Sequence, residues 1–327
     1  MTDYRVTFLQ KETCALVTHP FEPTPAPGEL VGENVISSIS TGSERGGFTQ
    51  QFPDDAYPME TGSSSIARVI AVGEGVTGWN VGDLFFHLEH HTRYVKVPMK
   101  DAIRIPEGAK PEHLIFGRYS AVSMTSISLM KAKAPDRIIV SGLGLVGLMC
   151  AAVLQCYGYT VYAVDLSEEQ QDTARAFGIQ RVGSTLEALN VAAQSCGALI
   201  ECSGNEKALR GTIPYLRKYA EAFQVGVPWR KTSDWDAHTL LRDVFYSYVS
   251  IHSGFEWGIS RRGEEGQFHS SYGHIQMAMD LIAEGKITIP ESMYELRDPA
   301  DCHEVYSEIA QYRMGATSII LDWRMLK

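Results

Sequence analysis

The chain has 327 residues, 44% of them hydrophobic and 21% charged, which suits two domains and excludes a disordered or fibrous polymer. A formal net charge of −10 argues against polyanionic partners, so neither nucleic acid nor an anionic membrane surface is expected. The most apolar run, 138–154, is interrupted by glycines and a serine, the N-terminus has no basic-then-apolar leader pattern, and the six cysteines form no CxxC pair; a reduced, cytoplasmic protein is the expectation.

The first hundred residues read as strands and turns, punctuated by glycine and proline: extended segments over 31–40, 66–72 and 94–98. Near residue 122 the character changes to short apolar runs alternating with helices. Strands are predicted over 137–141, 160–164, 198–201, 221–227 and 248–251, and helices over 146–157 and 168–177, each closed by a glycine. Such alternation implies a doubly wound parallel sheet with right-handed crossovers. Beyond residue 256 come an aromatic- and arginine-rich loop, helices over 274–284 and 300–312, and a last strand over 318–322.

The strand 137–141 runs into Gly142-Leu143-Gly144-Leu145-Val146-Gly147, a GxGxxG sequence opening a helix, and Asp165 ends the next strand roughly 20 residues on. In that context the pattern is the Rossmann fingerprint for a dinucleotide. Gly142 permits the tight turn, Gly144 lets a pyrophosphate approach the backbone, and Gly147 lets the helix pack on the sheet. The amides of Leu145, Val146 and Gly147 open the helix N-terminus toward the phosphates. Asp165 is placed to accept from the adenosine ribose hydroxyls and to repel a 2′-phosphate. Leu166 and Ser167 follow it with no basic side chain, so NAD is expected over NADP. A plain glycine turn with a surface aspartate is the alternative.

With the segment Gly62-Ser63-Ser64-Ser65-Ile66-Ala67-Arg68-Val69-Ile70-Ala71-Val72-Gly73, followed by Val81-Gly82-Asp83, with Thr41-Gly42-Ser43-Glu44-Arg45, and with Glu201-Cys202-Ser203-Gly204, the chain resembles the medium-chain dehydrogenase/reductase superfamily over nearly its whole length. The resemblance implies a mostly β, GroES-like catalytic domain over 1–121 and 257–327 and a Rossmann domain over 122–256. It places Cys202, Ser203, Gly204 and Gly226 at the cofactor, and Arg45 on the pyrophosphate.

Departures from the family pattern fall at the zinc ligands. Glu44 stands where zinc members carry cysteine, Ser63 where they carry histidine, Ser64 where they carry glutamate, and Arg118 at the third ligand position. Serine is a poor zinc ligand and arginine is none. The chain is therefore similar to a zinc-independent branch that includes polyol, sugar and bacteriochlorophyllide dehydrogenase-like proteins, with no metal expected. A zinc-bound oxygen falls from pKa ~16 to ~7, on the order of 12 kcal/mol. One hydrogen-bond donor supplies only about 3–4 kcal/mol, so a positioned base is the more economical substitute.

His91, in a stretch resembling the family's "HAEYV" run, is the candidate base, and a structural histidine fits the same residue. The HxxHH spacing of His87, His90 and His91 does not put three rings on one strand face. Glu44 and Arg118, both at former ligand positions, are expected to pair in the vacated site, either orienting Arg118 toward the substrate oxygen or filling the space. Gly46 stands where many relatives carry a hydroxyl relay. Ser63, Ser64 and Trp257, the last in the loop 254–262, are candidates to line the substrate site. The expectation is an NAD-dependent oxidation of a secondary alcohol (a polyol, sugar or cyclitol derivative) by a homodimer. A zinc-free quinone or enoyl reductase, and a non-catalytic nucleotide-binding protein, are the alternatives.

Overall fold

A computed structural model describes residues 1–51, 56–263 and 269–326. The chain forms two compact units, Met1–Ile115 with Glu291–Lys327, and Phe116–Pro290.

The first unit opens with an antiparallel hairpin, β1 (Thr2–Gln10) and β2 (Thr13–Pro20), in which Thr2 faces Pro20 and Phe8 faces Cys14. Then come β3 (Glu29–Ser38), α1 (Thr41–Phe48), β4 (Met59–Glu60), β5 (Ser65–Val72), β6 (Leu84–His87), β7 (Tyr94–Pro98), β8 (Ile103–Arg104) and α2 (Pro111–Leu114). β4 pairs with the free edge of β1. β3 is the long, buried spine of the larger sheet, antiparallel to both β5 and β7, with its register broken between Val31 and Gly32 where the strand changes partner alignment. A Cβ on Gly32 would press into the Phe85 ring at 2.7 Å, so the missing side chain there is what lets that ring lie on the spine.

The second unit begins with α3 (Gly117–Leu129) and contains β9 (Arg137–Ser141), α4 (Leu145–Cys156), β10 (Thr160–Val164), α5 (Glu168–Ala176), β11 (Val182–Gly183), β12 (Cys196–Glu201), α6 (Glu206–Thr212), β13 (Leu216–Gln224), α7 (Ala237–Ser247), β14 (Ser250–Ser253) and α8 (Ser271–Ala283). Its six strands are ordered β11-β10-β9-β12-β13-β14, every pair parallel. β9 and β12 are hydrophobic on both faces, as helices covering both sides require, and α4 is apolar almost all round for the same reason. The expected doubly wound sheet is thus present, beside a mostly β unit.

The chain returns to the first unit through β15 (Tyr294–Arg297), α9 (Cys302–Ala310) and β16 (Ser318–Asp322). β16 pairs antiparallel with β3, and α9 packs Val305, Tyr306 and Ile309 into a core with Phe8, Ile39, Phe48, Ile319 and Leu321. The Tyr306 ring stands edge-on to Phe8 at 4.8 Å.

Segment 257–290, assigned from sequence to the β domain, groups instead with the Rossmann sheet. α8 packs on α3 at Gly117, where a Cβ would meet Met279 Cγ at 2.6 Å. Other boundaries shift for local reasons. The strand expected to reach Val227 ends at Gln224, because the amides of Val225 and Gly226 both turn to the Glu201 carbonyl. The strand expected from Tyr248 starts at Ser250, because Tyr248 is the left-handed C-cap of α7 at φ 55°. α8 begins at Ser271 rather than His274, since the Ser270 hydroxyl caps the Gly273 amide.

Candidate functional site

In the second unit the chain leaves β9 to build β10 and β11 on one side and returns to build β12, β13 and β14 on the other. Ligands of open parallel sheets bind outside the strand carboxyl ends at such a reversal. There the glycine loop turns at Gly142 (φ 86°), whose hypothetical Cβ would meet the Ser203 amide nitrogen at 2.6 Å. A Cβ on Gly147 would collide with the Gly142 carbonyl oxygen, so helix and turn touch backbone to backbone. Gly144 differs: a Cβ there meets no atom within 4 Å. It is the N-cap of α4 and supplies no side-chain cap, leaving Leu145, Val146 and Gly147 to open the helix under free space. This cradle fits a pyrophosphate.

Asp165, at the end of β10, accepts from the Leu143 amide at 2.7 Å and from the Ser167 amide at 2.9 Å, so it is tied to the same loop while staying partly exposed. Leu166 beside it is exposed.

Across the reversal the loops after β12 and β13 meet. Cβ atoms on Gly204 or Gly226 would strike the backbone of the opposite loop, at Val227 and Cys202–Gly204. The fully buried Glu201 side chain joins them. It accepts from the Ser203 amide (2.8 Å), the Ser203 hydroxyl, the Gly204 amide (3.0 Å) and Gln224 Nε2 (2.6 Å). Sequence reading singled out Cys202, Ser203 and Gly204 and gave the Glu201 side chain no role, because nothing local marks a buried carboxylate as the hub of two loops.

The first unit holds a buried polar centre on Glu44 of α1. Its Oε1 accepts from the Ser40 amide at 2.7 Å. Its Oε2 accepts from Thr61 Oγ1 at 2.9 Å and Tyr306 Oη at 2.5 Å, and lies 3.1 Å from His91 Nε2. Burial pushes the Glu44 carboxyl up, but the nearby His91 and the hydrogen bonds from His91, Tyr306 and Ser40 outweigh it and leave the group below the ordinary carboxylate range. The Tyr306 phenol is pushed far up by burial and by Glu44, so it remains the donor. A carboxylate only accepts, so His91 Nε2 is the donor in that contact. Nδ1 is buried with no hydrogen-bond partner. The His91 backbone is held on both sides, its amide by the Thr61 carbonyl and its carbonyl by the Val6 amide. Tyr306 and Thr61 had no signal in the sequence.

The other two histidines go elsewhere. His87 Nε2 donates to Asn34 Oδ1 at 2.8 Å while its Nδ1 accepts from the Glu89 amide; burial, reinforced by His91, lowers its pKa to about 3. His90 is exposed, 3.1 Å from the Gly62 carbonyl. Among the described residues no group of three His, Cys, Asp or Glu side chains could hold a metal ion. Ser64 is buried with an unpartnered hydroxyl, and Ser63 is half-buried. Arg45 lies over the Tyr312 ring at 4.7 Å.

The expected ion pair between Glu44 and Arg118 is corrected. Arg118 Nη1 and Nη2 are both bound by the carboxylate of Glu256, Nη2 at 2.7 Å, and its guanidinium lies 5.7 Å from the Trp257 ring. Each residue finds its partner inside its own unit, and a guanidinium clasped this way is not free to be aimed at a substrate oxygen. Glu256, which the sequence did not single out, sits one residue before Trp257 in the loop after β14.

Residues 145–258 match the family model described as zinc-binding dehydrogenase. A sorbitol dehydrogenase of Halalkalibacterium halodurans is 26% identical over 247 residues, 63% of this chain and 72% of that protein. The crystal structure of galactitol-1-phosphate dehydrogenase from Escherichia coli superposes with a TM-score of 0.81 over 98% of this chain and 99% of that one, at 16% identity. The fold is that of the medium-chain dehydrogenases. Another structure with this fold, acetophenone reductase of Geotrichum candidum in complex with NAD, has a TM-score of 0.78 at 16% identity, covering 98% and 97% of the two chains. The match to the family model begins at Leu145, after the turn at Gly142 and Gly144, and takes in Asp165 and the Glu201–Gly204 turn. No helix of the described residues is long and apolar enough to cross a membrane.

Proposed function

We propose that this protein is an NAD-dependent dehydrogenase of a secondary alcohol, a polyol or sugar derivative, working without zinc. The observation that carries the reading is the open cradle over Gly144 at the N-terminus of α4, with Asp165 at the end of the neighbouring strand. Asp165 favours NAD over NADP by repulsion of a 2′-phosphate. Arg45 serves the pyrophosphate, and Cys202, Ser203, Gly204 and Gly226 serve the nicotinamide half. The names of a sorbitol and a galactitol-1-phosphate dehydrogenase among similar proteins support the substrate class.

Bound NAD supplies the hydride acceptor. The substrate hydroxyl must then lose a proton as its carbon becomes a carbonyl, and His91 is the group for it: Glu44 orients Nε2–H, and Nδ1 keeps the lone pair that takes the proton. The zinc-free reading is supported by the four donors already saturating Glu44 and by Glu256 on Arg118. Ser63, Ser64 and Trp257 are proposed to contact substrate. Six free cysteines support a reduced, cytoplasmic setting. The open edge of β14 and the exposed Leu241, Phe245 and Tyr246 of α7 support a homodimer.

Turnover with a polyol panel tests the reading. His91→Ala is expected to lower kcat about a hundredfold or more while leaving NAD affinity by calorimetry nearly unchanged. Chelators are expected to leave activity intact. Wild-type rates in the variant, or one zinc per chain by metal analysis, would remove this mechanism.

A further inference from the structure

Among the described residues, no cationic side chain is paired with the Glu201 carboxyl group. It is fully buried, and its partners are the Ser203 and Gly204 amides, the Ser203 hydroxyl and the Gln224 amide group. Three of those four can only donate, so the arrangement is complete for a carboxylate and has little use for a protonated acid. None of them is a cation. Burial raises the group's pKa, and the hydrogen bonds from Ser203, Gln224 and Gly204 offset that rise only in part, so the carboxylate is held at an energetic cost. A buried anion that is solvated but unpaired favours any ligand that brings a positive charge beside it.

Its position says which ligand. Glu201 ends β12, the first strand on the far side of the chain reversal from Asp165, and pairs with Ser141 at the mouth of the glycine loop. In a dinucleotide lying across such a reversal, one half faces the β10 side and the other the β12 and β13 side. With adenosine at Asp165, the redox ring falls to the side built by the Cys202–Gly204 and Gly226 turns, which Glu201 itself holds together. The two redox states of that ring differ by one positive charge.

We infer that Glu201 is a specificity-determining residue that acts as the buried counter-charge to the oxidised nicotinamide ring, so that this site discriminates the cofactor's redox state by electrostatics. The inference rests on the dinucleotide reading above. It goes beyond a structural role: a mere brace would hold the loops equally well for both redox states.

The test is equilibrium binding, without turnover. Glu201→Gln is expected to weaken NAD⁺ about tenfold and NADH less than about threefold, while Glu201→Asp restores the wild-type ratio. Equal losses for both forms would overturn the inference and leave the dinucleotide site standing. Should the glutamine variant fail to fold, wild-type protein decides the question with benzamide adenine dinucleotide, an NAD⁺ isostere whose ring carries carbon in place of the charged nitrogen. It is expected to bind about tenfold more weakly than NAD⁺, and equal affinity would overturn the counter-charge. Failure of wild-type protein to bind NAD⁺, NADH or ADP-ribose would instead sink the dinucleotide reading itself.

Discussion

The Tyr306 hydroxyl donates to Glu44 Oε2 at 2.5 Å across 262 positions of sequence, joining α9 to α1. Tyr306→Phe keeps the ring against Phe8 and Phe48 and removes only this donor. The loss of one charge-assisted hydrogen bond is expected to cost about 1.5–3 kcal/mol in urea unfolding. With one donor fewer, the Glu44 carboxylate becomes more basic and binds the His91 proton more strongly. Stability and pH–rate profiles unchanged in the phenylalanine variant would mean that the contact contributes nothing.

Two glycines three positions apart separate folding from binding. Gly144→Val places its Cβ in open space, so unfolding is expected to move by no more than about 0.5 kcal/mol. NAD binding should fall about a hundredfold or more, because the pyrophosphate loses its approach. Gly147→Ala drives a methyl into the Gly142 carbonyl and is expected to destabilise by about 1–3 kcal/mol. Calorimetry with NAD beside thermal unfolding checks both; a valine variant that binds normally would move the cofactor elsewhere.

Asp165 has two duties, and Asp165→Asn separates them. The amide oxygen can still accept from Leu143, so the tie to the glycine loop is kept at the cost of the Ser167 contact, while the negative charge is gone. The Michaelis constant for NAD is expected to rise about tenfold, near 1.4 kcal/mol, and the preference over NADP to relax. Unchanged discrimination between the two cofactors would take Asp165 out of the adenosine site.

His87 predicts a pH dependence of stability. Burial lowers its pKa from 6.5 to about 3, so the unfolded chain binds a proton near pH 6.5 that the folded chain refuses until about 3. Its contribution is complete above pH 6.5 and is lost as pH falls from 6.5 toward 3, at about 1.4 kcal/mol per pH unit. His274, lowered by burial to about 4, adds a slope of the same sign. Urea unfolding of His87→Gln between about pH 6 and 4 should show the shallower slope that remains when one of the two histidines is gone. An unaltered slope would exclude His87 as its source.

The sequence by itself determined the parallel sheet and the glycine loop with Asp165. Those features are local: strand and helix periodicities, glycines at fixed offsets, and the acid that ends the neighbouring strand all lie within about 30 contiguous residues. Only the tertiary structure decided what surrounds each charge. Glu44 takes donors from residues 40, 61, 91 and 306, Arg118 is clasped by Glu256, and Glu201 draws Ser203, Gly204 and Gln224 onto one carboxylate. A buried charge is satisfied by whichever donors the fold brings near it, and that proximity is set by packing of distant elements, which no spacing along the chain encodes.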